Sequence, residues 1–278
     1  MLLSMFVTTL EAFRRDRYAA PLASRSVVFW YARANLRIIS AWGVVGADDM
    51  RLVTAAMSDE LAPGFTPFSS LVDMTEIESL DSDSFGDFVA FMREHVDAFA
   101  RVNLQSAYIH GGDLFASSAV SGYTQVIGNP FPTSNFADVT AGLRGLGFGG
   151  EADEIVLALG DRKRLIRDTF RVLGPLREAI LKHIASPTSA AIAAELKVST
   201  RTLQRELAAV ETDLTREVRR IRIAAAKELL ATTELTIVEV TARLGFGATK
   251  TFRSAFRREV GELPAAWRSR RRHDDPSD

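Results

Sequence analysis

Two short stretches in the last third of the chain each place basic and polar side chains on one side of an amphipathic helix. These side chains are Arg201, Thr202, Gln204 and Arg205 in the first stretch, and Lys250, Thr251, Arg253, Ser254 and Arg257 in the second. Arginine, lysine, glutamine and threonine can hydrogen-bond base edges in the major groove, and the cations also offset phosphate charge. The two stretches therefore predict two surfaces that contact double-stranded DNA.

The second stretch has the pattern of a helix-turn-helix. Apolar residues recur at helical spacing over residues 237–244, and Gly245 then supplies the left-handed turn that commonly ends a helix. The hydroxyl of Thr249 is expected to cap the next helix, in which apolar residues recur every four positions and form the inward face. Gly261 closes this helix, and Pro264 is expected to prevent it from resuming.

The first stretch repeats this pattern, and a longer helix joins the two. After a turn at Lys197, Ser199 is expected to cap a helix whose Leu203 and Leu207 face inward. A helix over Leu214–Thr232 would span roughly 28 Å, close to the roughly 34 Å between successive major-groove faces. The alternative is two solvated helical faces in an all-helical domain, and the matching turns favour the DNA-contacting interpretation.

The sequence of these elements resembles the AraC/XylS family of bacterial transcription regulators. The resemblance is carried by TRTLQREL at 200–207, RIAAAKELL at 222–230, LGFGATKTFRSAFRREVGELP at 244–264, and then Trp267 and Arg268. It covers residues 174–272 and implies a bihelical, seven-helix domain whose base contacts come from the nine residues named above. Lys197 stands where the family usually has a turn glycine, and Trp267 stands where a tyrosine is common. Neither departure touches the DNA-contacting face.

Charge is distributed unevenly along the chain. Residues 175–278 carry 19 Lys and Arg against 14 Asp and Glu, a net charge of +5, whereas the remainder carries 15 against 21, a net charge of −6. Only the basic part suits a phosphate backbone, and the acidic part suits a protein or small-molecule partner. The chain has no cysteine, and its four histidines lack metal-ligand spacing, so neither a metal nor another cofactor is expected.

The first ten residues are apolar but are followed at once by charged residues. This stretch is too short to span a bilayer and lacks the preceding positive charge of a signal peptide. The sequence therefore predicts a cytoplasmic protein with no membrane partner. An amphipathic helix or a start codon placed too early would each account for the segment.

Strand and helix patterns alternate in the N-terminal half after an initial hairpin. Strands are predicted at 27–31, 36–42, 69–74, 104–110 and 131–136, and helices at 48–61, 84–99, 114–127 and 137–146. This order predicts an α+β fold, a mixed β-sheet with packed helices, followed by an all-α domain. The order and the segment Leu71–Gly86 resemble the STAS fold of anti-sigma factor antagonists, in which an Asp-Ser-Ser-Gly turn opens a helix that carries a phosphorylated serine.

The STAS resemblance assigns a regulatory or partner-binding role to Asp81, Ser82, Asp83 and Ser84. Asp81 and Ser82 match the family turn, whereas Asp83 stands where the phosphorylated serine usually is. A carboxylate there already places negative charge at a helix N-terminus, where the helix dipole favours it. The alternative is that these residues only cap a helix.

The patterns divide the chain into five predicted parts. These are an N-terminal segment (1–26), a STAS-like sensor or interaction domain (27–148), a helical linker (149–173), an AraC-type DNA-binding domain (174–272) and a disordered tail (273–278). The predicted function is a sequence-specific transcription regulator that contacts two successive major grooves under control of an N-terminal signal-receiving domain. Its expected partners are promoter DNA, RNA polymerase, a protein or small-molecule signal and a second copy of the chain.

The sequence bears on two other functional classes. An enzyme would need a site in the N-terminal half, where Gly111-Gly112-Asp113 lacks the flanking residues of a phosphate-binding loop. No nucleophile motif or metalloprotease motif occurs, so no catalytic residues are expected. The remaining alternative is a STAS-like partner-switching protein that binds DNA only incidentally.

Overall fold

The computed structural model describes residues 6–128, 130–210 and 212–273. Its contacts divide the chain into two compact units, Met1–Arg167 and Asp168–Asp278. Residues 274–278 of the predicted tail, and residues 1–5 of the predicted N-terminal segment, lie outside the described residues. Within the described part of the chain, no helix combines the length and the apolar character needed to cross a membrane.

The N-terminal unit is built on a six-stranded sheet whose spatial order follows the chain order. Its strands are β1 Leu22–Ala23, β2 Val27–Arg33, β3 Leu36–Val45, β4 Phe68–Leu80, β5 Asn103–Ile109 and β6 Thr133–Phe136. The first three strands pair antiparallel, and β3 to β6 pair parallel. The parallel strands are connected through helices, as their geometry requires. The predicted mixed sheet with packed helices is confirmed.

The helices of this unit are α1 Leu10–Arg15, α2 Ala47–Ser58, α3 Ser82–Glu94, α4 Val96–Val102, α5 Leu114–Ile127 and α6 Val139–Gly145. The prediction of one helix over 84–99 is wrong, because the backbone leaves helical geometry at His95, with φ −112° and ψ 17°. At this break Phe91 packs edge-on against both His95 and Phe99. Side-chain periodicity carries on across the break, and for that reason the sequence pattern did not show it.

The residues before β2 belong to the same fold as the sheet. Val7 forms a bridge to Leu22, and Phe13 packs edge-on against Phe29 at 5.7 Å between ring centroids. Phe13 and Leu22 are fully buried. The stretch expected to be a separate N-terminal segment therefore contributes to the apolar core from residue 7 onward.

Helix α7, Ala152–Lys182, runs through the stretch that was predicted to be a helical linker. It is helical, but its first half also packs on the sheet, because Ile155, Leu159 and Ile166 form a buried stripe. Lys163 on this half lies 3.1 Å from the Oδ2 atom of buried Asp73 on β4. The helix contributes residues to both compact units.

The C-terminal unit continues with α8 Ser189–Glu195, α9 Thr200–Ala209, α10 Leu214–Thr232, α11 Ile237–Arg243, α12 Thr249–Val260 and α13 Pro264–His273. The predicted all-α architecture is confirmed. Two local predictions are wrong. Thr249 is the first residue of α12 rather than its cap, and Ala248 at the cap position supplies no side-chain hydrogen bond. Pro264 begins a new helix, because its fixed φ and missing N–H suit the first helical position.

Candidate nucleic-acid interface

Each helix-turn-helix of the C-terminal unit is held by its own apolar core. The first core contains Leu176, Ile180, Ile192, Leu203, Leu207 and Ile221, and the second contains Leu230, Val240, Leu244, Phe252, Phe256 and Trp267. Helix α10 supplies residues to both cores. The two basic helix faces identified from sequence are therefore carried by packed elements rather than by isolated helices.

Helix α9 presents the first basic face. Leu203 and Leu207 are buried, whereas Arg201, Gln204 and Arg205 are exposed, as the predicted helix phase requires. The Ser199 hydroxyl caps the helix by accepting a hydrogen bond from the Thr202 backbone N–H at 3.0 Å.

Thr202 differs from the other three predicted contacts on α9. Its side chain is half-buried, and its hydroxyl lies 2.9 Å from that of Ser199. The Thr202 hydroxyl is thus engaged in the helix cap, whereas Arg201, Gln204 and Arg205 extend outward.

Helix α12 presents the second basic face. Phe252 and Phe256 are fully buried and pack edge-on at 5.7 Å between ring centroids, and Phe256 makes a similar contact with Trp267 at 6.1 Å. The predicted contact residues Lys250, Thr251, Arg253, Ser254 and Arg257 are all exposed. Within the described chain, none of the four basic side chains Arg201, Arg205, Arg253 and Arg257 forms an ion pair. Their charges are therefore available to an anionic partner.

The two turns use left-handed residues of different kinds. Gly245 has φ +69° and Lys197 has φ +56°, so the lysine occupies the conformation that the family's usual glycine would adopt without strain. Gly245 lies against the carbonyl of Ala185, which accepts a hydrogen bond from Arg222 at 3.2 Å. Arg222 also donates twice to the carbonyl of Ile184, at 2.9 and 3.0 Å. This role of Arg222 has no local signal in the sequence, because its partners lie 37 and 38 positions away.

Hydrogen bonds hold Arg222 and the start of α11 in place. Burial lowers the pKa of the Arg222 guanidinium from its ordinary value, while its carbonyl contacts hold it in place. At the start of α11, Thr236 and Glu239 form a reciprocal capping box, and the hydrogen bonds from Thr236 lower the pKa of the Glu239 carboxyl. The cap fixes where the helix preceding the second turn begins.

A groove of about 940 Å³ adjoins the second basic face. It is lined from α10 by Arg219 and Arg222, and from α12 by Lys250, Ser254 and Arg258. Arg219 and Arg258 were not among the contacts predicted from the sequence. The signal for Arg258 was present, because positions 250, 254 and 258 lie four apart and share one helix face.

The predicted regulatory residues lie in the N-terminal unit, at the start of α3. Asp81 is the N-cap, and its Oδ2 accepts a hydrogen bond from the Ser84 backbone N–H at 2.9 Å. Hydrogen bonds from Ser84 lower the pKa of the Asp81 carboxyl. Ser82 and Asp83 are exposed in the first turn. The structure brings the four residues together as a capped helix start.

Comparison with known proteins finds a family match within the C-terminal unit. Residues 192–270 match the family model described as a helix-turn-helix domain. The ornithine utilization regulator of Pseudomonas aeruginosa is 37% identical over 76 residues, which are 27% of this chain and 22% of that protein. The chain thus matches about a fifth of the length of this curated relative.

Two solved structures are similar to parts of the chain. A DNA-binding transcriptional dual regulator from Escherichia coli K-12 is 26% identical, with a TM-score of 0.35, over 36% of this chain and 90% of that one. A protein with a SpoIIAA-like fold from Shewanella loihica is 21% identical, with a TM-score of 0.33, over 44% of this chain and 92% of that one. The family match and the curated relative confirm the resemblance drawn from the C-terminal motifs: residues 192–270 form an AraC-type helix-turn-helix domain.

Proposed function

We propose that the chain is a sequence-specific transcription regulator whose C-terminal unit contacts promoter DNA with α9 and α12. The observation that carries this proposal is the pair of exposed basic faces, each on the second helix of a helix-turn-helix with its own buried core. Surface arginines that have no acidic partner in the described chain suit contacts to phosphates and to guanine edges.

The proposed base contacts are those expected from sequence, except that Thr202 is set apart and two phosphate contacts are added. Arg201, Gln204 and Arg205 on α9 extend from the surface, whereas the Thr202 hydroxyl is committed to the helix cap. On α12, Lys250, Thr251, Arg253, Ser254 and Arg257 carry the contacts. We add Arg219 and Arg258, whose place in the groove beside α12 suits the phosphate backbone.

Helix α10 connects the two cores, and its length is close to the spacing of two adjacent major grooves. Its 19 residues rise by about 28 Å. Successive major-groove faces on one side of B-DNA lie roughly 34 Å apart. The proposal therefore includes one domain that contacts two successive grooves on the same side of the duplex.

The test is a titration of the full chain against a selected duplex and a random duplex at physiological salt. Arg253→Ala and Arg257→Ala should each weaken binding to the selected duplex by about 1 to 3 kcal/mol and change binding to the random duplex much less. Arg171→Ala is the matched control, since it removes an exposed arginine outside both recognition helices. Equal losses on both duplexes would reassign these arginines to phosphate contacts, and no preference for any selected duplex would leave only incidental DNA binding.

The N-terminal unit is proposed to receive the signal. The exposed acidic start of α3, with Ser82 and Asp83, is one candidate surface for a protein partner. Asp83→Lys should abolish the response of a promoter reporter while the DNA affinity of the purified protein stays unchanged, and Asp87→Lys on the same helix is the control. A normal response in the Asp83 variant would restrict Asp81 to Ser84 to helix capping.

The remaining elements of the proposal concern where and with what the regulator acts. A promoter-binding protein acts in the cytoplasm, and RNA polymerase and a second copy of the chain are its candidate partners. The proposal includes no catalytic step.

A further inference from the structure

The N-terminal unit contains a cavity of about 120 Å³ between the sheet and helices α2, α3 and α5. Its walls are almost entirely apolar and include Met50 and Met57 from α2, Phe88 from α3, Val72 from β4 and Ala119 from α5. Well-packed cores contain few voids larger than a water molecule. An apolar void of this size would hold an apolar guest better than water, because water inside it would find few hydrogen-bond partners.

One polar group in the cavity wall is unsatisfied. Asn103, at the start of β5, lines the cavity and is 3% exposed. Its Nδ2 donates to the Ser106 hydroxyl at 2.9 Å, whereas its Oδ1 is buried with no hydrogen-bond partner among the described residues. Buried polar atoms are normally paired, so the unpaired Oδ1 is a hydrogen-bond acceptor on a residue of the cavity wall.

The charged group in the wall is already neutralised. Arg37 lines the cavity, but its guanidinium forms a buried ion pair with Glu60 and also donates to the Ser70 hydroxyl at 2.8 Å. Tyr31 donates to the same Glu60 carboxylate at 2.6 Å. A charged guest would lose its hydration without gaining a free counter-ion, so the cavity disfavours ions.

The cavity lining reaches the protein surface at the start of α5. Phe115 lines the cavity and is 44% exposed, and the adjacent Leu114 is 82% exposed.

We propose that this cavity binds an uncharged, mainly apolar molecule about the size of one aromatic ring, which donates one hydrogen bond to Asn103. The size follows from an engineered cavity of about 150 Å³ that binds benzene. The idea that this ligand is the signal of a regulator rests on the proposed function. Its binding to the cavity does not depend on whether the chain binds DNA.

The test uses the full chain with phenol and benzene as probes in calorimetric titrations. Both should bind, and phenol should bind about tenfold more tightly, because it alone can donate to Oδ1. Asn103→Leu should reduce this preference to about onefold while benzene still binds. Leu104→Ala, which truncates the neighbouring exposed side chain, should leave the preference unchanged.

A second variant localises the binding to the cavity. Ala119→Phe places a ring in the cavity and should abolish binding of both probes. The proposal is overturned if neither probe binds the parent chain at millimolar concentration, if the Ala119 variant binds both as the parent does, or if Asn103→Leu retains the phenol preference.

The same preparations are tested for preference between selected and random duplexes. If the parent chain prefers the selected duplex but binds neither probe, only the ligand site is refuted. If the chain binds phenol through Asn103 but prefers no duplex, the ligand site is supported and the proposed function is refuted.

Discussion

Replacing Gly245 with alanine should destabilise the second helix-turn-helix without unfolding the rest of the chain. The glycine has φ +69°, and a Cβ atom there would lie 2.0 Å from the Ala185 carbonyl oxygen and 2.6 Å from Nη2 of Arg222. The nearest obstacle is backbone, so it cannot move aside by rotating a side chain. The backbone at Ala185 would have to shift, and Arg222 would lose its hydrogen bond there.

The size of the effect follows from these two costs. A non-glycine residue in the left-handed conformation costs roughly 1 to 2 kcal/mol. Losing one hydrogen bond to a charged group costs about 1.5 to 3 kcal/mol. Together they predict a loss of about 2.5 to 5 kcal/mol in the local free energy of unfolding. This is a large part of the 5 to 15 kcal/mol that typically stabilises a domain.

Hydrogen exchange of the α12 amides, measured by mass spectrometry on the full chain, reports this local free energy. Gly247→Ala is the matched control, because it lies in the same turn, has no positive φ and has nothing within 4 Å of an added Cβ. Gly245→Ala should accelerate exchange by at least about 50-fold and weaken DNA binding, whereas Gly247→Ala should do neither. Equal protection in the two variants would refute the steric argument.

Three further predictions concern the packing that supports both units. Lys197→Gly should stabilise the first helix-turn-helix by up to about 1 kcal/mol. It relieves the strain of a non-glycine residue in the left-handed conformation, and the greater entropy of the unfolded chain offsets part of this gain. A lower urea midpoint would contradict this prediction. Phe256→Ala should cost about 3 to 5 kcal/mol in urea unfolding, and a variant as stable as the parent would show that its ring is not buried. Burial alone would raise the pKa of Asp73, but Lys163 and two hydroxyl donors offset this and hold it below its ordinary value. The resulting stability is present above the unfolded pKa near 4 and is lost as the pH falls through the folded pKa. Lys163→Met should therefore lower the free energy of unfolding by about 3 kcal/mol at neutral pH and weaken its dependence on acid pH. Urea unfolding at a series of pH values measures both effects. An unchanged loss of stability at acid pH would show that the Lys163–Asp73 pair is not its source.

Local periodicity was enough to predict the elements that carry the candidate interface. Helix α10 begins and ends where its sequence pattern predicted, and the exposed and buried positions of α12 alternate in the predicted phase. A helix buries residues three and four positions apart, so an apolar stripe specifies both its type and its inward face. The same reasoning located the five strands from β2 to β6. The motifs of the C-terminal unit were also local, and they sufficed to identify the AraC-type helix-turn-helix domain at residues 192–270.

Features that depend on distant residues were decided only by tertiary structure. Arg222 holds carbonyls 37 and 38 positions away, and Lys163 pairs with a carboxylate 90 positions away. The break at His95 interrupts no sequence pattern, and the cavity beside Asn103 exists only where the sheet meets three separate helices. Sequence periodicity states which face of an element is buried but not which partner covers it, because that choice is made by packing among residues that are far apart in the chain.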